Sequence, residues 1–158
     1  MLPIKKIFCP TDFSEPSYEA LKVADEMALH FSAELILIHV VKPIAVNPVH
    51  VDPTGFNLPQ YEKEREASSK IAIQQVSEEK ISEGIDFQTM VVLGDPAYKI
   101  VELASDENAD IIIIATHGLT GWRKFIFGSV TEKVIRLANC PVLSIRVSPE
   151  NVYRPSDK

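Results

Sequence analysis

Glycine and hydroxyl residues cluster in two neighbouring segments in the last third of the chain. The two segments are Ala115-Thr116-His117-Gly118-Leu119-Thr120-Gly121 and Gly128-Ser129-Val130-Thr131. Because glycine has no Cβ, backbone N–H groups there can approach phosphate oxygens closely. A helix that begins at Gly128-Ser129 would add the positive end of its dipole, and the hydroxyls of Ser129 and Thr131 would be further donors. The pattern predicts an anion-binding site.

The same residues also have a purely structural interpretation. Gly118 and Gly121 suit tight turns, and Ser129-Val130-Thr131-Glu132 has the spacing of a helix capping box. The charge of Glu132 in the first helical turn would slightly disfavour a polyphosphate. Spacing alone leaves both interpretations open.

Short apolar runs alternate with longer amphipathic segments along the chain. This alternation is typical of βαβ units and predicts an α/β fold whose parallel sheet is covered by helices on both faces. The predicted strands are Ile4 to Cys9, Leu35 to Val41, Phe87 to Leu93, Ile111 to Ile114 and Val142 to Val147. Helices are predicted after Ser14-Glu15-Pro16, from Tyr61 to Gly84, after Asp95-Pro96 and from Val130 to Ala138. In the last strand, the alternation of Ser144 and Arg146 with apolar residues predicts a sheet edge with one wetter face.

Two features between these elements bear on function. The segment from Lys42 to Pro59 holds four prolines and Gly55, which predicts a loop that is either a lid or a flexible connector. His39 lies inside an apolar strand, and we interpret it as a hydrogen-bonded core residue rather than a ligand. We expect one domain over residues 1–148 and a polar tail over 149–158.

Composition excludes several classes of partner. The net charge is -6 and the pI is about 5.2, so we expect neither nucleic acid nor an anionic membrane surface as a partner. Cys9 and Cys140 are far apart and lack metal-ligand spacing, so both are interpreted as buried small hydrophobes. The first residues show no secretory pattern and no apolar run is long enough to span a membrane, which predicts a cytoplasmic protein.

Three stretches together resemble the universal stress protein family. They are Pro10-Thr11-Asp12-Phe13-Ser14, Gly94-Asp95-Pro96 and Ala115 to Arg146, and the likeness covers almost the whole chain. The ATP-binding branch carries glycine, two residues, glycine, nine residues, and then glycine with serine or threonine. Gly118, the nine residues that follow it and Gly128-Ser129 match this pattern. Ala115 stands where the first glycine is expected, and its methyl group would narrow the pocket near the ribose.

The resemblance implies both a fold and a ligand. The fold is a three-layer Rossmann-like (adenine nucleotide alpha hydrolase-like) five-stranded parallel sheet of order 3-2-1-4-5. Such sheets bind ligands at the carboxyl ends of the strands where strand order reverses, here between the first and fourth strands. The implied ligand is ATP, AMP or ADP. A divalent cation such as Mg²⁺ could bridge its phosphates, because magnesium commonly binds through substrate oxygens with few protein ligands. The resemblance also implies a homodimer, for which the edge strand Val142 to Val147 offers a physical basis.

The resemblance assigns roles to individual residues. Asp12 would accept hydrogen bonds from ribose hydroxyls, although a turn or cap role is its alternative, and the backbone of Val40 would pair with the adenine edge. Gly118, Gly128, Ser129 and Thr131 would surround the phosphates. From its type alone, His117 could be a general base, but no nucleophile is evident for it to activate, so a loop residue near the phosphates is the preferred interpretation. The expected binding residues are Pro10, Thr11, Asp12, Val40, Ala115, Thr116, His117, Gly118, Gly121, Gly128, Ser129, Val130 and Thr131.

These features favour a stress-response binding and signalling module that holds an adenine nucleotide. A slow ATPase or nucleotide transferase that uses the same crevice is one alternative. The sequence lacks Gly-x-x-x-x-Gly-Lys-Ser/Thr, a Gly-x-Ser-x-Gly elbow and carboxylates with an evident catalytic spacing, which disfavours an enzyme. A nucleotide-free interaction protein of the same fold is the other alternative.

Overall fold

Strands and helices alternate throughout the computed structural model, which describes residues 3–44, 57–116 and 128–146. The strands are β1 (Lys6–Pro10), β2 (Glu34–Val41), β3 (Phe87–Leu93), β4 (Ile111–Ala115) and β5 (Val142–Ile145). The helices are α1 (Glu15–Phe31), α2 (Leu58–Lys80), α3 (Pro96–Asp106) and α4 (Ser129–Leu137).

The five strands form one sheet in the order β3-β2-β1-β4-β5, and each neighbouring pair is parallel. The predicted α/β class and the order 3-2-1-4-5 are therefore confirmed. From β1 the chain adds β2 and then β3 on one side of β1. It then crosses to the other side of β1, where it adds β4 and then β5. The point where the order reverses lies between β1 and β4.

Two layers of helices cover the sheet, each over its own apolar core. One core contains Cys9, Leu37 and Ile113 of the sheet and packs under α1 and α2. The other contains Phe8 and Ile112 and packs under α3 and α4. Successive residues of each strand thus face opposite layers, which is why the strands are apolar almost throughout.

Side-chain caps fix where two helices begin, as the sequence predicts. Ser14 caps α1 by accepting a hydrogen bond from the amide of Ser17, and Pro16 lies in the first turn. Asp95 caps α3 through the amide of Ala97, with an Oδ1–N distance of 3.1 Å. Both caps bring the start of their helix to the carboxyl edge of the sheet.

The predicted bounds of α2 are wrong at both ends. Asn57 caps the helix through the amide of Gln60, so α2 begins at Leu58 and takes in Pro59, a residue that suits a first turn. At the other end, the buried Asp25 accepts hydrogen bonds from the amide and hydroxyl of Ser82, both at 2.8 Å. These bonds draw the chain out of the helix after Lys80, before Gly84.

Smaller differences concern the strands and α4. β1 runs from Lys6 to Pro10 rather than from Ile4 to Cys9, and β2 and β4 are each one residue longer than predicted. β5 lies at an edge of the sheet, as predicted. The expected single wetter face is not seen, because Arg146 is exposed but Ser144 is partly buried and Leu143, on the other face, is 36% exposed. β5 ends at Ile145, so the predicted strand is too long by at least Arg146, and Val147 lies outside the described residues. α4 begins at Ser129, one residue before the predicted start, and Ala138 is its C-cap.

The two cysteines are free thiols in different surroundings. Cys9 is fully buried in the sheet, and burial raises its pKa to about 12. Cys140 is only half-buried, so the expectation of two buried cysteines holds for one of them. Within the described ranges, no helix is both long enough and apolar enough to cross a membrane.

Candidate functional site

A cavity of about 360 Å³ opens at the carboxyl edge of the sheet, at the reversal point between β1 and β4. Its walls are the ends of β1, β2 and β4 and the first turns of α1, α3 and α4. The described lining residues are Pro10, Thr11, Asp12, Ser17, Ile38, His39, Val40, Lys42, Pro96, Ile100, Ile114, Ala115, Gly128, Ser129, Val130 and Thr131. This is the place where doubly wound sheets bind ligands.

The start of α4 supplies backbone donors to this cavity. Gly128 is the N-cap residue and the helix has no side-chain cap hydrogen bond. The amide of Glu132 donates to the Gly128 carbonyl at 3.0 Å, but the amides before it in the helix have no acceptor within the helix itself. Since Ser129 is the first helical residue and not the cap, the capping-box interpretation of Ser129 to Glu132 is wrong.

Thr131 contributes its amide but not its hydroxyl proton. The side chain is 4% exposed, and its hydroxyl donates to the carbonyl of Ala115 with an oxygen–oxygen distance of 2.7 Å. A hydroxyl has one proton to donate, so this bond leaves none for a phosphate. The expectation that the Thr131 hydroxyl is a phosphate donor is therefore wrong. Ser129 lines the cavity, so its hydroxyl stays a candidate donor.

The backbone of Gly128 does not itself require glycine. Its φ of −70° and ψ of 155° are extended angles that any residue adopts. Its amide donates to the carbonyl of Thr116 at 2.6 Å, which ties the start of α4 to the end of β4. A missing Cβ at this point leaves room for a ligand atom close to the backbone.

Asp12 lies in the turn between β1 and α1. Its Oδ1 accepts hydrogen bonds from the amide of Ser14 at 3.1 Å and from the hydroxyl of Ser14. The side chain therefore has the turn role that was its structural alternative, and Asp12 also lines the cavity. The two interpretations are compatible, because a carboxylate can accept several hydrogen bonds.

His39 supports this turn from β2. Its Nδ1 lies 2.8 Å from the carbonyl oxygen of Thr11, and since a carbonyl only accepts, Nδ1 carries the proton. Burial lowers the pKa of His39, and the charge of Arg65 adds to that effect, while the bond to Thr11 and the charge of Asp12 oppose it. The predicted hydrogen bond is confirmed, but the predicted core position is not, because His39 is half-buried and lines the cavity.

The backbone of Val40 points past the end of β1. The carbonyl of Ile38 faces β1, because it accepts a hydrogen bond from the amide of Thr11 at 2.8 Å. Backbone groups alternate sides along a strand, so the N–H and C=O of Val40 point the same way. Since β1 ends at Pro10, opposite Ile38, these groups face the cavity.

Ala115 lies at the floor of the cavity but packs into the core. It is 6% exposed and belongs with Cys9 and Ile113 to the apolar cluster under α1. Its neighbour Ile114 belongs to the opposite cluster, under α3 and α4. The methyl group of Ala115 is thus accommodated by packing against the α1 layer.

The structure brings together nine of the residues expected to form the site: Pro10, Thr11, Asp12, Val40, Ala115, Gly128, Ser129, Val130 and Thr131. Thr116 is 4% exposed and is not part of the described lining. Its amide donates to the carbonyl of Ile145 at 2.9 Å, which extends the pairing of β4 and β5 by one hydrogen bond. His117, Gly118 and Gly121 lie outside the described residues.

Seven further lining residues were missed from the sequence: Ser17, Ile38, His39, Lys42, Pro96, Ile100 and Ile114. For some of them a signal was present. Ile38 precedes Val40 by two positions and so shares its face of the strand, and Pro96 opens a helix after a strand. The carbonyl of Lys42 accepts a 2.9 Å hydrogen bond from Arg65 of α2, while residues 45–56 of the predicted loop are outside the described part.

Known proteins match this chain over most of its length. The sequence model of the universal stress protein family matches residues 3–146. Universal stress protein MJ0577 of Methanocaldococcus jannaschii is 34% identical over 90% of this chain and 94% of its own length. Universal stress protein MJ0531 of the same organism is 35% identical over 90% of this chain and 82% of its own.

Solved structures agree with this assignment. The structure of MJ0577 superposes with a TM-score of 0.76 at 32% identity, over 93% of this chain and 99% of that chain. A universal stress protein in complex with cAMP gives a TM-score of 0.64 at 23% identity, over 93% and 100% of the two chains. The Archaeoglobus fulgidus protein in complex with dAMP gives 0.55 at 21%, over 91% and 98%. The last two show the shared fold, and the chain belongs to the universal stress protein family.

Proposed function

We propose that this protein binds an adenine nucleotide, ATP foremost, in the cavity between β1 and β4, and acts as a stress-response binding and signalling module. The observation that carries the proposal is the start of α4, where Gly128 leaves backbone amides at the cavity without a side-chain cap. Such a helix start binds anions through its N–H groups and its dipole.

The cavity offers a different chemistry at each of its sides. We place the phosphates at Gly128 to Thr131, where the donors are amides and the Ser129 hydroxyl. The carboxylate of Asp12 would repel phosphates, so it suits the ribose hydroxyls, which donate hydrogen bonds. The backbone of Val40 has one donor and one acceptor directed past the end of β1, which suits the edge of adenine.

The shape and composition of the cavity support this placement. A volume of about 360 Å³ falls within the roughly 300–1,000 Å³ of small-molecule sites. Ile38, Ile100 and Ile114 give the inner wall an apolar surface for a base. The complexes of two proteins of this fold with cAMP and dAMP support adenine as the base.

A divalent cation fits as a companion of the phosphates. Among the described lining residues, Asp12 is the one carboxylate, and its Oδ1 already accepts two hydrogen bonds from Ser14. Mg²⁺ commonly binds through substrate phosphates with few protein ligands, and such an ion would neutralise phosphate charge here. We propose that Mg²⁺ accompanies the nucleotide and binds mainly through the phosphate oxygens. We also propose that His117, Gly118 and Gly121 contribute to phosphate binding, as the family resemblance implies.

The hydrogen bonds of the titratable side chains at the cavity favour binding over catalysis. In the described lining these are Asp12, His39 and Lys42. Asp12 and His39 both hydrogen-bond within the β1–α1 turn, so both side chains have a structural role there. A slow ATPase or nucleotide transferase would also need a group that positions the attacking water or acceptor at the terminal phosphate, and His117 is the residue that the sequence offers for this alternative. A nucleotide-free interaction protein would need no site at all.

Isothermal titration calorimetry with ATP tests the proposal on wild-type protein and Gly128→Asp. Aspartate is a good N-cap, so its carboxylate would accept the amides of α4 and stabilise the helix by a few tenths of a kcal/mol relative to glycine. The same carboxylate would occupy the place of a phosphate and repel it. We expect ATP affinity to fall by roughly tenfold or more, while the melting temperature stays level or rises slightly.

Ser68→Asp is the matched control, because it adds the same charge at an exposed position of α2. ATP affinity should not change in this control. Equal ATP affinity in wild-type protein and Gly128→Asp would remove α4 from the phosphate site. No heat from ATP in any of the three proteins would favour the nucleotide-free interaction protein.

A further inference from the structure

The turn that carries Asp12 has an unusual backbone. Phe13, the residue after Asp12, has a φ of +63°, an angle that bulky residues rarely adopt. Two hydrogen bonds inside the turn help to hold it: the amide of Phe13 donates to Oγ1 of Thr11, and the amide of Ser14 donates to Oδ1 of Asp12, both at 3.1 Å. A conformation of this kind persists only where its surroundings fix it, and such conformations cluster at functional sites.

His39 holds the turn on both sides of Asp12. Its Nδ1–H donates to the carbonyl of Thr11, the residue before Asp12, at 2.8 Å. Its ring packs on the ring of Phe13, the residue after Asp12, with centroids 4.3 Å apart and planes tilted by 32°. One side chain from β2 therefore fixes both neighbours of Asp12.

We propose that His39 is a positioning residue for ribose recognition, holding the Thr11 to Ser14 turn so that the Asp12 carboxylate faces the ribose hydroxyls of the bound nucleotide. The inference rests on the proposed function. His39 acts on the Asp12 carboxylate through the turn, by its contacts with Thr11 and Phe13. The neutral ring and the imidazolium both carry the Nδ1 proton, so the donor is needed but the charge is not.

Two substitutions separate the donor from the volume of the side chain. In asparagine the side-chain nitrogen is attached to Cγ, as Nδ1 is in histidine, so His39→Asn keeps a donor near the same place. His39→Leu keeps an apolar side chain of similar size and removes the donor. His30→Leu serves as the control, because His30 is exposed in the last turn of α1, far along the helix from the cavity.

The measurement is the ratio of dissociation constants for 2′,3′-dideoxy-ATP and ATP, since the dideoxy compound lacks both ribose hydroxyls. In wild-type protein and in His30→Leu we expect ATP to bind roughly tenfold more tightly, as for a hydrogen bond to a charged group. His39→Leu should bring this ratio close to one, and His39→Asn should keep most of the wild-type preference for ATP. An unchanged ratio in His39→Leu would overturn the role of His39 while the proposed nucleotide site stands.

Amide hydrogen exchange on the ligand-free proteins gives a second test that does not depend on ATP. In His39→Leu, we expect the amides of Phe13 and Ser14 to exchange roughly tenfold faster or more, while amides of the core strands keep their protection. His39→Asn should resemble wild-type protein. Equal exchange in all variants would overturn the proposal. Absence of ATP binding by wild-type protein would instead overturn the proposed function and the ribose role with it.

Discussion

The hydroxyl of Thr131 donates a 2.7 Å hydrogen bond to the carbonyl of Ala115, joining the first turn of α4 to the end of β4. A second bond between the same elements runs from the amide of Gly128 to the carbonyl of Thr116. The two bonds hold the start of α4 over the reversal point of the sheet. A residue that matches the family's phosphate pattern thus orients the helix that carries the donors.

Replacing Thr131 by valine should cost stability. The substitution keeps the shape of the side chain but leaves the buried carbonyl of Ala115 without its donor, so we expect the free energy of unfolding to fall by about 1–3 kcal/mol. Urea denaturation followed by circular dichroism measures this change. Thr131→Ser keeps the hydroxyl and should lose less; equal losses in the two variants would show that the hydrogen bond contributes little.

The substitution Ala115→Gly restores the glycine of the family pattern and tests what the methyl group of Ala115 does. Because its methyl group packs under α1, Ala115→Gly should lower the free energy of unfolding by about 0.5–1 kcal/mol. We expect ATP affinity, measured by calorimetry, to stay within about threefold of wild type. A gain of tenfold or more would show that the methyl group does narrow the nucleotide pocket.

The edge strand β5 gives a test of the homodimer that the family resemblance implies. Pro141 and Ile145 use their carbonyls toward β4, so the amide of Ser144 points away from the sheet. Ser144→Pro should remove a donor from the edge without breaking the ladder to β4. Together with the exposed Leu143, this edge suits pairing with a second copy about a twofold axis.

Light scattering at micromolar concentration should therefore give a dimer for wild-type protein and a folded monomer for Ser144→Pro. Leu143→Pro is the contrasting variant, since its amide lies on the side that faces β4 and its loss should destabilise the sheet. A wild-type monomer, or a dimer that survives Ser144→Pro, would exclude β5 as the interface.

The lowered pKa of His39 predicts a pH dependence of stability. Burial holds this pKa below the ordinary 6.5, so between the two values the unfolded chain binds more protons than the folded protein. The contribution of His39 to stability is therefore fully present above about pH 6.5 and decreases as pH falls below it. Asp12, whose charge favours the protonated ring, limits the effect, and Arg65 enlarges it.

Urea denaturation at about pH 7.5 and about pH 5.5 measures the change, and the difference between the two should be smaller in His39→Asn than in wild-type protein. An NMR titration of the His39 ring gives an independent reading of the pKa. A pKa at or above 6.5, or equal pH dependence in the two proteins, would contradict a His39 pKa that partial burial lowers.

The sequence predicts the fold well because the relevant signals are local. The isoleucines of β4 and the capping residues Ser14 and Asp95 are readable from single segments. The strand order came from the family resemblance, because periodicity does not distinguish between arrangements of parallel strands. Helix ends were less accurate, since Asp25 ends α2 through a contact with Ser82, 57 residues away.

The candidate site is harder to predict from the sequence, because the start of α4 fits both a side-chain capping box and an anion-binding helix start. Ser129 and Glu132 fit a capping box, and only the structure shows that Gly128 is the cap residue. His39 and Thr11 meet because β1 and β2 pair, which places residues 28 positions apart in contact. No local pattern encodes such a contact.

A crystal structure of the protein grown with excess ATP and Mg²⁺ tests the central claim most directly. We predict phosphate oxygens within about 3 Å of the amide nitrogens at Ser129 and Val130, with the ribose at Asp12 and adenine against Val40. A cavity filled only by protein side chains, or a nucleotide bound elsewhere on the molecule, would contradict this account.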